Sequence, residues 1–74
     1  MKSPVSFEDL KKNLPPIISR DHVSEILGGV ISAKTLANLD SEGKGPKRLR
    51  IGRKVVYLTD DFLKWLEKRS IILN

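Results

Sequence analysis

The stretch from Lys44 to Leu58 constrains the fold of this chain most strongly, because it combines a turn signal with a block of basic residues. Read from Gly43, its sequence is GKGPKRLRIGRKVVYL. The dipeptide Gly52-Arg53 separates two short runs of strand-forming residues, Leu49–Ile51 and Val55–Leu58. Two such runs around a two-residue turn that contains glycine predict a β-hairpin.

The first strand of this hairpin has two chemically different faces. Leu49 and Ile51 alternate with Arg48 and Arg50, which is the period-two pattern of a half-buried strand. We therefore expect the two aliphatic side chains to pack against the domain. The arginines then form a cationic outer face that is either solvated or in contact with phosphate.

The positive charge of the chain is concentrated in the hairpin. Residues 44–54 hold six of the fourteen lysines and arginines and none of the nine acids, so the remaining residues carry eight basic and nine acidic groups. A localised positive patch is the electrostatic signature of a nucleic-acid-binding surface, although a solvated strand face has the same composition. The six residues are Lys44, Lys47, Arg48, Arg50, Arg53 and Lys54.

The length of 74 residues limits the chain to one domain with a small core. A chain of this size buries only about 60% of its unfolded surface, which leaves no room for a deep substrate cavity. The candidate core residues are Phe7, Leu10, Leu14, Ile26, Leu27, Leu36, Leu39, Leu49, Ile51, Tyr57, Phe62, Trp65 and Leu66.

The absence of cysteine excludes a disulfide scaffold and cysteine-ligated zinc. No apolar run approaches the roughly 18 residues of a membrane span, and the N-terminus lacks the apolar region of a signal peptide. We therefore expect a soluble, cytoplasmic protein with no membrane partner.

The N-terminal residues 1–17 are predicted to form a short helix and an extended link. Ser6 is placed to cap the helix, and Phe7, Leu10 and Leu14 share one face. Pro15-Pro16 ends the helix, because proline disfavours helical geometry at its own position and at the residue before it.

Residues 18–69 are predicted to form the main domain, which begins with two short helices. The first runs from Arg20 to Leu27 with Ser19 as its N-cap, and Gly28-Gly29 ends it. Ser32 opens the second helix, from Ala33 to Glu42, and Gly43 closes it. Two short helices joined by a glycine-containing turn are typical of a helix-turn-helix motif.

The second helix has an apolar and a polar side at 100° per residue. Ala33, Leu36 and Ala37 point inward, whereas the opposite strip is Lys34, Thr35, Asn38 and Ser41. Asparagine pairs with adenine, threonine contacts base edges or thymine methyl groups, and lysine reaches guanine or phosphate. Any amphipathic helix exposes similar residues, so the strip favours DNA mainly because a basic hairpin follows it.

A last helix is predicted from Asp60 to Arg69, with Thr59 as its cap and Phe62, Trp65 and Leu66 on its inner face. Residues 70–74 form a tail that contains Ile71, Ile72 and Leu73. These three apolar residues have three possible states: they fray, they dock back on Phe7 and Leu10, or they form a dimer contact.

The segment from Ile18 to Lys68 resembles the small winged helix-turn-helix domains of the excisionase and AlpA-type regulators, which are related to the DNA-binding end of MerR regulators. The resemblance depends on Ile18-Ser19, on Ser32 and Thr35, on Gly43, on Ile51-Gly52-Arg53-Lys54 and on Asp61–Leu66. It implies an α+β, mostly α fold: two helix-turn-helix helices, a β-hairpin wing and a C-terminal helix, here with an extra N-terminal helix.

The resemblance also implies where DNA is bound. The second helix would enter the major groove through Ser32, Lys34, Thr35 and Asn38. The hairpin would lie as a wing on the backbone or in the minor groove through Arg48, Arg50, Arg53 and Lys54. Lys44 and Lys47 would add to the basic surface. Three residues depart from the family: Ala37 replaces a common aromatic residue, Asn38 a basic residue and Asp40 an apolar residue. Asp40 and Glu42 are expected to repel phosphates, so the wing must supply more of the affinity.

These observations predict a sequence-specific double-stranded DNA-binding protein, acting as a transcriptional regulator or as a phage-type excisionase. Its partners would then be RNA polymerase or an integrase or recombinase, and it would act as a homodimer or a cooperative array on DNA. The alternative is a protein-interaction module that does not bind DNA. RNA binding is disfavoured, because Tyr57, Phe62 and Trp65 lie on inward positions and are not available to stack on bases.

Catalysis is not expected from these residues. His22 is the only histidine, and the adjacent Asp60 and Asp61 point about 100° apart on a helix. No nucleophile–base set and no metal-ligand spacing is present. We therefore predict neither an enzyme nor a cofactor.

Overall fold

The computed structural model describes residues 7–71 and Leu73, which form a small α+β domain with four helices and a three-stranded antiparallel sheet. No helix in this part of the chain is long and apolar enough to cross a membrane. In chain order the elements are α1 (Phe7–Lys12), β1 (Ile17–Ser19), a 3-10 turn (Arg20–His22), α2 (Val23–Ile26), α3 (Ala33–Ser41), β2 (Leu49–Ile51), β3 (Lys54–Leu58) and α4 (Thr59–Arg69).

The N-terminal helix packs against the C-terminal helix. α1 contacts α4, and Lys11 Nζ lies 2.7 Å from Asp60 Oδ1. The predicted cap residue Ser6 lies outside the described residues. In the tail, Ile71 and Leu73 are 82% and 88% exposed, so neither of them docks on α1, whereas Ile72 also lies outside the described residues.

The segment after Pro15-Pro16 is a strand that the sequence did not predict. β1 pairs with β3, with Ile17 opposite Leu58, and the junction is fixed by two further bonds from Thr59. Its backbone N–H donates to the Pro16 carbonyl at 3.0 Å, and its hydroxyl donates to the Pro15 carbonyl. The prediction that Thr59 caps α4 was therefore wrong: Leu58 is the N-cap, and Thr59 is the buried first residue of the helix.

The predicted hairpin is confirmed. β2 and β3 are antiparallel, and Ile51 pairs with Lys54, which leaves Gly52-Arg53 as the two-residue turn. Gly52 has φ +62, whereas no other residue type among those described has positive φ. This combination suits a type II′ turn, whose first position requires a conformation that glycine adopts without strain.

The prediction for the two faces of β2 was wrong. Arg50 lies opposite Val55 and Leu49 lies opposite Val56. Since side chains alternate along a strand, Arg50 shares the inner face with Val55 and Tyr57, whereas Leu49 and Ile51 lie on the outer face. They are 42% and 57% exposed. A period-two pattern shows that two faces differ, but the neighbouring strands decide which of them is covered.

The core lies between the inner face of the sheet and helices α2, α3 and α4. Leu36, Tyr57 and Phe62 were predicted in it and are fully buried, whereas Leu10, Leu49 and Ile51 are exposed and were wrongly assigned. Ile18, Val23 and Leu63 complete the buried cluster. The other predicted members are half-buried, and most of them pack against this cluster: Phe7, Leu14, Ile26, Leu27, Leu39, Trp65 and Leu66.

The first predicted helix of the pair is broken into a 3-10 turn and the short helix α2. Ser19 does not cap it as predicted, because its hydroxyl pairs with His22 Nδ1 at 2.9 Å instead of a backbone N–H. Serine side chains that bond locally compete with regular helical bonding. The region therefore keeps a helix–turn–helix order with a shorter first helix.

The second predicted helix, α3, is confirmed at both ends. Ser32 Oγ accepts from the Thr35 N–H at 3.1 Å, which satisfies one of the free donors of the first turn. At the other end Gly43 has φ +74. The Gly43 and Lys44 N–H groups donate to the Asp40 and Leu39 carbonyls at 3.1 and 2.8 Å, which is a Schellman motif.

Candidate nucleic-acid interface

The polar strip predicted on α3 is exposed. Lys34, Thr35, Asn38 and Ser41 all face solvent, whereas Leu36 on the opposite side is fully buried. The side chains of Lys34 and Asn38 form no hydrogen bond or ion pair with any described residue. Their amide and ammonium groups are therefore free to bind an external ligand.

Ser32 and Thr35, which were also predicted to contact a ligand, are bonded to each other at the start of α3. The Ser32 hydroxyl accepts from the Thr35 N–H and donates to Thr35 Oγ1 at 2.9 Å. The Thr35 hydroxyl proton is left without a partner in the described part of the chain. Because a hydroxyl both donates and accepts, Thr35 retains one donor for an outside group while it helps to cap the helix.

Asp40 does not face solvent, so the prediction that its carboxylate repels phosphate was wrong. Its side chain is 4% exposed. Its Oδ2 accepts from the Tyr57 hydroxyl at 2.7 Å and from Arg20 Nη1 at 3.0 Å. A buried carboxylate that is paired and hydrogen-bonded presents little charge to solvent, so Glu42 is the remaining exposed acid of the predicted pair.

The Asp40 carboxylate joins three parts of the fold. Tyr57 belongs to β3, Arg20 to the 3-10 turn after β1, and Asp40 itself to the last turn of α3. Burial raises the pKa of the Tyr57 hydroxyl well above its ordinary value of 10.0, and the hydrogen bond to the Asp40 carboxylate raises it further. The hydroxyl therefore stays protonated and donates to Asp40, which ties the hairpin to α3.

Glycine is the only residue type that fits at position 45, beside the Asp40 carboxylate. A Cβ atom at position 45 would lie 2.0 Å from Asp40 Oδ1, which is far inside van der Waals contact. The same Oδ1 atom is buried without a hydrogen-bond partner among the described residues. The Gly43-Lys44-Gly45-Pro46 connection thus closes over Asp40 and fixes the path from α3 into the hairpin.

The arginines of the hairpin lie on the side of the sheet that faces α3. Arg48 Nη1 is 3.4 Å from the Asp40 carbonyl, a long contact that places a cation at the negative end of the helix. Arg50 is on the same face by alternation, and Arg53 lies in the turn. The side chains of Arg50 and Arg53 have no ion-pair or hydrogen-bond partner in the described part of the chain.

The lysines predicted for the same site are placed differently. Lys54 lies on the outer face and its Nζ is 2.7 Å from Asp21 Oδ2, and this hydrogen bond lowers the pKa of Asp21. Lys44 is 3.9 Å from Glu42, and its carbonyl accepts from the Trp65 indole N–H at 2.9 Å. Lys47 is exposed and lies in the connection before β2. The structure therefore places Lys54 on the face of the sheet opposite to Arg50.

Sequence reasoning missed Arg20 and Tyr57 as the residues that hold α3 against the hairpin. One signal was available: Asp40 lies four residues after the buried Leu36, on the same side of the helix. A carboxylate at such a position needs a donor or a cation beside it. The sequence does not indicate which donor, because Arg20 and Tyr57 lie 20 and 17 residues away.

Comparison with protein-family models, with curated proteins and with solved structures gives no match for this chain. Within residues 7–71 and Leu73, no group of three or more histidine, aspartate or glutamate side chains is placed to hold a metal ion. The arrangement of α3 and the hairpin is therefore the basis for a functional assignment.

Proposed function

We propose that this chain is a sequence-specific double-stranded DNA-binding protein with a winged helix-turn-helix fold, in which α3 is the recognition helix and the β2–β3 hairpin is the wing. The observation that carries the proposal is that Arg50 lies on the α3 side of the sheet while Lys34 and Asn38 are exposed and unpaired. Groups that can read base edges and groups that can bind phosphate are thus carried by α3 and by the hairpin, two elements that meet where Arg48 contacts the Asp40 carbonyl.

The recognition helix has the dimensions and side chains that the major groove requires. With its side chains an α-helix is about 10–12 Å in diameter, which fits a major groove about 12 Å wide, and the nine residues of α3 extend about 13 Å along its axis. Asn38 can form two hydrogen bonds with adenine, and Lys34 can reach guanine or a phosphate. Thr35 adds the free hydroxyl donor described above.

The wing contributes charge without sequence preference of its own. Arg50 and Arg53 have no competing acid among the described residues, so their guanidinium groups are available for phosphate or for a narrow, A·T-rich minor groove. The burial of Asp40 removes one repulsive carboxylate from this surface. The wing therefore supplies affinity, and the strip on α3 supplies selectivity.

The same surface serves a transcriptional regulator or an excisionase, since both act through binding rather than chemistry. Recognition of single-stranded RNA is less well supported, because Tyr57 and Phe62 are fully buried and Phe7 and Trp65 are half-buried. Single-strand recognition depends on exposed aromatic side chains that stack on bases.

Selection of bound sites from random duplex DNA, followed by fluorescence anisotropy at several salt concentrations, tests the proposal. We expect enrichment of a defined site and a fall of log K with log salt at a slope of about −4 to −5, corresponding to roughly four to six neutralised phosphates. Arg53→Ala should reduce the steepness of the slope by about one. Lys12→Ala, which removes an exposed cation from α1, is the matched control and should leave the slope unchanged.

Two results would contradict the proposal. No enrichment above nonspecific background would exclude sequence-specific binding. An equal change of slope in Arg53→Ala and Lys12→Ala would show that the net charge of the protein, rather than the wing, determines binding.

A further inference from the structure

A groove lined mostly by apolar side chains lies where α1, α4 and the turn between α2 and α3 meet. Its volume is about 1000 Å³, the size of a large ligand-binding cleft. The lining includes Phe7 and Leu10 of α1, Val30 and Ile31 of the turn, and Leu66 of α4. These side chains are half-buried or exposed, so the groove is open to solvent and unfilled apolar surface lies within it.

The tail that follows α4 carries the most exposed apolar side chains of the described residues. Ile71 and Leu73 are 82% and 88% exposed. Together with Leu10 and Val30, which line the groove, they make up half of the eight large apolar side chains exposed within residues 7–71 and Leu73. The other four lie on the outer face of the sheet. Away from the sheet, exposed apolar surface is thus concentrated in this groove and this tail.

The tail starts at the edge of the groove but does not enter it. Ser70 lines the groove and has extended backbone angles, φ −86 and ψ 150, so the chain leaves α4 without folding back along it. A reversal of chain direction takes a turn of four residues, which would use up residues 70–73 and with them the apolar side chains that could fill the groove. Each copy therefore presents an apolar segment and an apolar groove side by side.

We infer that the groove takes the apolar tail of a second copy of this chain, and that two copies exchange their tails. Because Ser70 both lines the groove and begins the tail, a two-fold axis beside Ser70 brings each tail to the groove of the other copy. A two-fold contact uses the same patch on both copies, and this patch holds both the segment and its receptor. Alternate side chains of an extended segment point the same way, so Ile71 and Leu73 enter the groove of the partner together.

The edge of the groove has donors that suit an extended segment. The Thr35 hydroxyl and the Arg69 guanidinium line it beside the apolar side chains. The backbone carbonyls of a tail that is covered by protein need hydrogen-bond donors, and both of these groups can supply them. Thr35 also belongs to the polar strip of α3, so the association is measured on protein without DNA, and the inference does not rest on the proposed function.

The size of the contact sets its strength. Stable interfaces use about 20–30 residues from each partner, and the groove and the tail together offer fewer. The association is therefore weak and depends on concentration.

Sedimentation equilibrium of the DNA-free protein, from about 10 µM to 1 mM, measures this association. We expect a monomer–dimer equilibrium in which the tail variant Ile71→Ser/Leu73→Ser and the groove variant Val30→Asp each raise the dimer Kd at least about tenfold. All three side chains are largely exposed, so both variants should fold, which circular dichroism checks. The control Ile51→Thr removes an exposed aliphatic side chain from the outer face of the sheet, retains strand propensity, and should leave Kd unchanged.

A mixture of the two variants tests the exchange of tails. A dimer of the tail variant has no native tail, and a dimer of the groove variant has no native groove. In a mixed dimer, one native tail meets one native groove. The mixture should therefore associate more strongly than either variant alone and less strongly than the native protein.

Three results would overturn the inference. The first is a native protein that stays monomeric at 1 mM; nuclear Overhauser effects between Val30 and Ile71 or Leu73 in that monomer would show that each copy covers its own groove. The second is a mixture of the variants that associates no more strongly than either variant alone. The third is an effect of Ile51→Thr equal to that of the tail variant, which would assign the contact to the sheet.

Discussion

The hydrogen bond between Tyr57 and Asp40 offers the sharpest test of how α3 is held against the hairpin. Tyr57→Phe removes one hydroxyl and leaves the ring in place, so it deletes the bond without creating a large cavity. The hydroxyl donates at 2.7 Å to a carboxylate that is 4% exposed. A hydrogen bond to a charged group contributes about 1.5–3 kcal/mol, because a buried carboxylate that loses a donor cannot replace it with water.

We therefore expect Tyr57→Phe to lower the free energy of unfolding by about 2 kcal/mol. For a domain of 60–100 residues each kcal/mol shifts Tm by about 4–8 °C, which corresponds to a decrease of roughly 8–16 °C. Urea unfolding followed by circular dichroism, with Trp65 fluorescence as a second probe, measures the change. Coincident transitions of the two probes would support two-state unfolding.

The decisive comparison is the same substitution in a protein that already lacks the carboxylate. In the background of Asp40→Ala the Tyr57 hydroxyl has lost its acceptor, so its removal should cost less than about 0.5 kcal/mol. The double-mutant cycle then gives a coupling energy of about 1.5–2 kcal/mol. Equal costs of Tyr57→Phe in both backgrounds would refute the reasoning, because they would show that the hydroxyl stabilises the fold without Asp40.

Four further outcomes are expected. The raised pKa of Tyr57 favours its protonated form in the folded state, so the stabilising contribution of this group is complete below pH 10 and is lost as the pH rises above this value. Urea unfolding across this pH range should show the loss in the native protein and not in Tyr57→Phe. Gly45→Ala should lower the free energy of unfolding of the native protein by roughly 2–3 kcal/mol, and by clearly less in the Asp40→Ala background, because the added Cβ clashes with the Asp40 carboxylate. Equal losses in the two backgrounds would show that this clash is not the cause. Asn38→Ala should change discrimination among selected DNA sites by about 1–3 kcal/mol at one base pair, whereas unchanged site selection would remove Asn38 from the recognition strip. In anisotropy titrations Arg50→Ala should weaken binding to all duplexes alike or reduce the preference for narrow A·T-rich minor grooves. A change confined to one major-groove base contact would contradict the place of Arg50 in the wing.

The sequence predicted the elements whose ends are marked by local chemistry. Ser32 and Gly43 define α3, and Gly52 defines the hairpin turn, because capping and positive φ depend on a few adjacent residues. It also predicted which side of α3 is exposed, since Leu36 fixes the inward direction. These features require no knowledge of distant parts of the chain.

The features that sequence reasoning missed all depend on distant partners. β1 has only three residues and exists as a strand because β3 lies beside it. The inner face of β2 was misassigned because it is set by the neighbouring strands, whose Ile18 and Tyr57 are buried against the helices, rather than by β2 itself. The role of Asp40 depends on Arg20 and Tyr57, and that of Thr59 on Pro15, so none of these contacts is visible in local spacing.

The pairing of β1 with β3 has a consequence for how this domain folds. Ile17 and Leu58 are partners although 41 residues separate them, so completing the sheet closes a loop that contains both α2 and α3. Contacts of such long sequence separation slow folding, because the entropy of loop closure must be overcome before they form. Neither the helix pair nor the hairpin should therefore persist alone: the chain should gain its sheet, its core and the position of α3 in one cooperative transition.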